Sequence, residues 1–77
     1  MKYGKTRINF DLIEVIKKTP ERHSFFADLA SSNEVTFMTV VKWFEINDVT
    51  LTTKHNSELI RKFLKLEAGE NIYTTFQ

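Results

Sequence analysis

The amino-acid sequence predicts an all-α fold: a compact four-helix domain containing a helix-turn-helix, with room for short β-strands at its termini. Three observations predict it. Apolar residues recur at helical spacing in four stretches, each opened by a capping side chain or by the single proline. The segment from Leu29 to Trp43 reads as the end of one helix, a polar turn and a second helix opening at Thr36, with the small Ala30 where two steeply crossed helices come close. The 77 residues, 42% hydrophobic and 13% aromatic, suffice for one domain with a modest core and are too apolar for disorder.

Taken in order, residues 1–9, with Tyr3, Lys5, Arg7 and Ile8, read as a short strand or a basic arm. Asn9 or Asp11 caps a first helix on which Leu12, Ile13 and Ile16 share a face. Asp11, Glu14 and Lys18 lie opposite, the last two in the favourable i, i+4 order. Thr19-Pro20 ends that helix and starts the next, since proline suits the first helical position and threonine the cap. The second helix, about 20–31, buries Phe25, Phe26, Leu29 and Ala30, and Ser31-Ser32-Asn33 breaks it. Thr36 caps the third helix, which runs to Ile46 and is apolar at Phe37, Met38, Val40, Val41, Trp43 and Phe44. Val35, Val40 and Trp43 are packing residues in this reading. Asn47-Asp48 marks a turn, and residues 49–52 form an extended link. A fourth helix starts between Thr53 and Ser57, carries Leu59, Ile60, Phe63, Leu64 and Leu66, and stops before Gly69 as its C-cap. The alternating tail, residues 71–76, is β-prone and is expected to pair with the N-terminal segment or with a second subunit.

Composition excludes several classes. There is no cysteine, hence no disulfide, thiolate metal site or thiol nucleophile. No apolar run reaches membrane-span length, and Asp11 and Glu14 interrupt any signal-peptide core, so a soluble cytoplasmic protein is expected. His23 and His55 lack the spacing of a helical zinc pair, the carboxylates are scattered, and two glycines build no phosphate loop. No catalytic residue, metal or cofactor is expected, and the chain is read as not an enzyme.

The residues Leu29-Ala30, Val35-Thr36, Thr39-Val40 and Trp43, with Glu45 one position late, resemble the lambda-repressor-like (Cro-type) helix-turn-helix DNA-binding family. The chain departs from that pattern at Glu34, where the family places a turn glycine, so this position must turn left-handed or the turn must differ. Asn33 stands where an apolar residue is usual, and Phe25-Phe26 where a polar pair often touches DNA. The resemblance implies a sequence-specific transcriptional regulator of phage or bacterial type, a homodimer holding double-stranded DNA, with the third helix (about 36–46) in the major groove. Thr36, Thr39 and Lys42 would then supply polar contacts, and Phe37 and Met38 apolar ones. Lys5 and Arg7, with Lys2, would grip phosphate.

Charge suggests a second reading. Residues 1–20 sum to +3 and residues 54–77 to +1, but residues 21–53, which hold the motif, sum to −3. A DNA-reading surface draws its affinity from positive charge. The alternative is a protein–protein interaction module on the same scaffold, with Phe37, Met38 and Val41 facing a partner such as a host factor. Neither reading involves a membrane.

Overall fold

The computed structural model describes residues 5–76, and the side chains of residues 6–74. Two short antiparallel strands, β1 (Lys5–Ile8) and β2 (Tyr73–Phe76), bring the ends of the chain together, with Ile8 opposite Tyr73 and Lys5 opposite Phe76. The bond from Asn9 N–H to the Ile72 carbonyl (2.8 Å) extends this ladder towards the helices. Between the strands lie α1 (Phe10–Lys18), α2 (Arg22–Asn33), α3 (Phe37–Ile46), a 3₁₀ turn (Val49–Thr52) and α4 (Lys54–Phe63). The domain is mostly helical, and its tail pairs with its N-terminal segment, the first of the two partners that the alternating pattern left open.

Local chemistry accounts for most helix starts. Asn9 Oδ1 accepts the Asp11 N–H at 2.8 Å, Thr36 Oγ1 accepts from Thr39 N–H, and Thr53 Oγ1 accepts from Asn56 N–H. Each satisfies an amide the first helical turn leaves unpaired. Thr19 departs from expectation. Its hydroxyl donates back to the Val15 carbonyl (2.7 Å), closing α1 instead of capping α2. Pro20 and Glu21 form the turn, and Glu21 stands at the α2 cap without a side-chain bond. Ser31-Ser32-Asn33 does not break α2 either. Asn33 Nδ2 donates to the Leu29 carbonyl one turn back and also to Asn56 of α4, so a tertiary anchor carries the helix two residues further.

Helix ends are also made differently from the glycine-based expectation. Gly69, expected to cap α4, lies in a later turn at φ 85°. The chain leaves α2 and α3 through left-handed Glu34 (φ 58°) and Asn47 (φ 52°), and leaves α4 through left-handed Lys65 (φ 61°), one residue past its cap Leu64. In each, the next residue's N–H reaches back five positions: Val35 to Ala30, Asp48 to Trp43 and Leu66 to Arg61, at 2.8–3.0 Å. This is the Schellman closure, which satisfies orphan carbonyls at a helix end. Residues 49–52 are a 3₁₀ turn, not an extended link. Asp48 caps it through Thr50, and fully buried Leu51 anchors it.

The core is one cluster from every element except β2: Ile8, Ile13, Ile16, Phe25, Phe26, Leu29, Ala30, Val40, Phe44, Leu51 and Ile60, joined by Ile72 beside β2. Phe25 is its hub. Its ring stacks on Phe63 of α4 (4.2 Å, 7°) and meets Phe44 of α3 edge-on (6.1 Å, 64°). Phe26 stacks on the same Phe44 at 4.7 Å. Val35 and Trp43 are half-buried against this core.

Candidate nucleic-acid interface

The junction of α2 and α3 decides what α3 can present. The turn between them is three residues, Glu34-Val35-Thr36. Glu34 adopts the left-handed conformation that a β-carbon disfavours, and its N–H bonds the Ser31 carbonyl at 3.3 Å while Val35 N–H bonds Ala30. Thr36 then opens α3 at once. The turn therefore has helix-turn-helix length and conformation without a glycine.

The junction is braced from behind. Asn33 and Asn56 face each other through a reciprocal amide pair, 2.9 Å and 3.3 Å, and Asn56 Nδ2 also donates to the Thr50 carbonyl at 2.9 Å. Ser32 Oγ meets His55 Nε2 beside it. The end of α2, the 3₁₀ turn and the start of α4 are thus stitched at one point. Asn47, buried at the end of α3, donates to the Ile8 carbonyl at 2.7 Å and fixes α3 against β1.

The candidate residues divide by position. Met38 is 69% exposed, Lys42 is exposed and Val41 is half-buried, and with Glu45 they form the outward face of α3. Thr36 and Thr39 sit at its N-terminus with their hydroxyls bonded to each other at 2.9 Å. Phe37 is half-buried, its ring 5.3 Å from His23 and 6.1 Å from Phe26, so much of it serves the α2–α3 packing. Phe25 and Phe26 are buried, which removes the first turns of α2 as a polar contact surface. Arg7 is half-buried on β1, with Nη1 donating to the neighbouring Thr6 carbonyl. The side chain of Lys5 and all of Lys2 lie outside the described residues.

Two cations that the linear reading passed over stand beside α3. A shallow hollow of about 140 Å³ is lined by Lys17, Arg22, Phe26, Val41, Phe44 and Glu45. Lys17 lies in the last turn of α1 and Arg22 begins α2, so the α1–α2 turn delivers both to the flank of α3. Arg22 Nη1 is held by the Thr19 carbonyl (3.2 Å), and Lys17 forms an exposed pair with Glu14 at 3.7 Å, which ties it weakly. The basic ends flanking the α1–α2 turn were visible in sequence; their proximity to Val41 and Glu45 was not.

Among the described residues no group of three or more His, Asp or Glu is placed to hold a metal ion, and no helix is long and apolar enough to cross a membrane. No family model, curated protein or solved structure matches this chain.

Proposed function

We propose that this chain is a sequence-specific DNA-binding protein, a small transcriptional regulator of phage or bacterial type that lays α3 in the major groove. The observation that carries this reading is the Glu34-Val35-Thr36 turn, closed by a left-handed residue and followed directly by a threonine-capped helix whose outer face is not covered by any of the described residues. In the proposed complex Met38 and Val41 meet thymine methyls, Lys42 and Thr39 offer hydrogen bonds to base edges, and Arg22 and Lys17 sit at phosphates. Within the acidic motif segment, Arg22 stands at the flank of the reading helix, and Lys17 from outside the segment joins it there beside Glu45. A homodimer on a palindromic site follows from the usual use of such a motif.

The test is selection of a random duplex pool by the purified protein at low and moderate salt, with the retained DNA sequenced. An enriched site with salt-sensitive affinity is expected. Lys42→Ala and Arg22→Ala should weaken binding, and removal of a phosphate contact should lower the salt slope by about one. No retention at low salt would overturn the proposal.

A specific observation favours a second reading, the protein–protein module. Met38, Ile46 and Val49, on α3 and the turn after it, are apolar yet exposed at 69%, 63% and 52%, and large exposed apolar side chains are a feature of interaction surfaces. Met38→Asp separates the readings better than a change at Phe37, because Met38 lies outside the core. If it abolishes self-association or partner capture while duplex binding was never present, the module stands.

A further inference from the structure

One face of α4 carries Lys54, Glu58, Arg61 and Lys62, and the segment after the helix returns alongside it. The return is set by left-handed Lys65 and by the bond from Leu66 N–H to the Arg61 carbonyl at 2.8 Å. Between helix and segment lies a groove of about 480 Å³, lined by those four residues with Leu66, Ala68 and Gly69. Its size falls within the range of small-molecule sites.

The lining charges of the groove are unbalanced, although Glu67 and Glu70 stand on the returning segment beside it, with the Glu70 carboxylate turned to the Glu67 N–H. Three cations face one carboxylate, and among the described residues none of the four forms an ion pair within 4.0 Å. Lysines on a helix face are ordinarily just solvated; Arg61 is what distinguishes this surface. Its Nε–H is fixed to the Glu70 carbonyl at 2.8 Å, and its guanidinium carbon lies 5.7 Å from the centre of the Tyr73 ring. Tyr73 is held in turn by its hydroxyl, which donates to buried Ser57 at 2.7 Å. The two terminal amino groups of Arg61 have no hydrogen-bond partner among the described residues. A guanidinium oriented by these two contacts, with its terminal fork unoccupied, loses less freedom on binding than a free one, and the fork matches a carboxylate or phosphate. Leu66 and Ala68 beside it offer aliphatic contact.

We propose that this groove binds a small amphipathic anion, a carboxylate or phosphate head on a short aliphatic body, with the head on Arg61, Lys54 and Lys62 and the body against Leu66 and Ala68. The site is independent of the DNA-binding reading and uses no residue of α3.

The test is titration of the isotope-labelled full chain with decanoate below its micelle concentration, followed by backbone amide NMR, with decanol and decyltrimethylammonium as neutral and cationic controls. Saturable shifts within residues 54–69, with both controls at least about tenfold weaker, are expected from a charge-assisted contact. Arg61→Ala should weaken decanoate about tenfold or more, and Arg61→Lys should recover only part of it. Lys62→Glu, at an exposed position, provides a second variant that should also weaken decanoate should Arg61→Ala lose its fold by circular dichroism. Equal binding of decanol, unchanged affinity in folded Arg61 and Lys62 variants, or no saturable shift would overturn the proposal. So would a response only to phosphatidylglycerol vesicles, which would place the cations at a lipid surface.

Discussion

Replacing Asn56 with alanine tests the stitch that holds the α2–α3 junction. Asn56 is fully buried and joins three elements: it gives hydrogen bonds to the Thr50 carbonyl and Asn33 Oδ1 and accepts one from Asn33 Nδ2. Each net bond is worth about 1 kcal/mol, and the partners left behind are part-buried, so the loss should be about 3 kcal/mol. Total stability for a domain of this length is about 4–12 kcal/mol. At about 4–8 °C per kcal/mol, the melting temperature should fall by about 12–24 °C. Asn33→Ala should cost less, because Asn33 is only half-buried and its bond to Leu29 is local. Urea unfolding followed by fluorescence of Trp43, the only tryptophan, measures both variants and the double variant. The two changes share a reciprocal pair, so the double variant should be less destabilised than the sum by about 1–2 kcal/mol. Additive losses, or a loss below about 1 kcal/mol for Asn56→Ala, would show that the amide pair does not hold this junction.

Other perturbations separate local from tertiary causes. Glu34→Gly should stabilise the fold by about 0.5–1 kcal/mol, the left-handed penalty relieved less the entropy glycine costs; thermal unfolding reads the sign. Phe25→Ala should cost about 3–5 kcal/mol, since its ring packs on both Phe63 and Phe44, and urea unfolding should find the variant near the limit of folding. Asp48 has a lowered pKa, chiefly through the Thr50 N–H and then the Thr50 hydroxyl, with a smaller pull from Arg7 against a slight burial cost. A depressed carboxyl stabilises the fold above its unfolded pKa and loses that contribution as pH falls through the folded value. Asp48→Asn should therefore be less stable than the parent near neutrality, and the two stabilities should converge on acidification below the ordinary carboxylate range.

The third helix was legible because its signals are local: Thr36 caps it, Asn47 ends it, and the apolar spacing between them has one helical period. The strand pair was legible for the same reason, as an alternating tail with one short partner at the other end. What escaped were decisions made at a distance. Ser31-Ser32-Asn33 carries break signals, yet Asn33 stays helical because Asn56, 23 residues away, accepts its amide. Thr19 is an equally good cap for α2 and back-bonder for α1, and nothing in its neighbours announces the choice. Residues 49–52 alternate like a strand, but Leu51 is pulled under β1 and the Asp48–Thr50 bonds tighten the segment into a 3₁₀ turn. The candidate face was half legible. Lys42 and Met38 follow from position on the helix, whereas the inward packing of Phe37 and the approach of Lys17 and Arg22 depend on how three helices meet.

The absence of glycine from the three helix ends bears on how the motif should be recognised. Glu34 and Lys65 each accept a left-handed penalty of about 1–2 kcal/mol, and Asn47 a smaller one, because asparagine tolerates this region. Local preference therefore opposes the α2–α3 turn at its first residue, and the turn forms because Val35 packs on the core and the Schellman bonds close behind it. A turn imposed by packing should be more sensitive to core and brace residues than to the turn residue itself. That ordering, with the losses at Phe25 and Asn56 several times larger than the gain from Glu34→Gly, is what separates a turn imposed by packing from one that depends on its turn residue. It also means that the missing glycine at position 34 does not count against a helix-turn-helix, whose requirement is the conformation and not the residue that most easily adopts it.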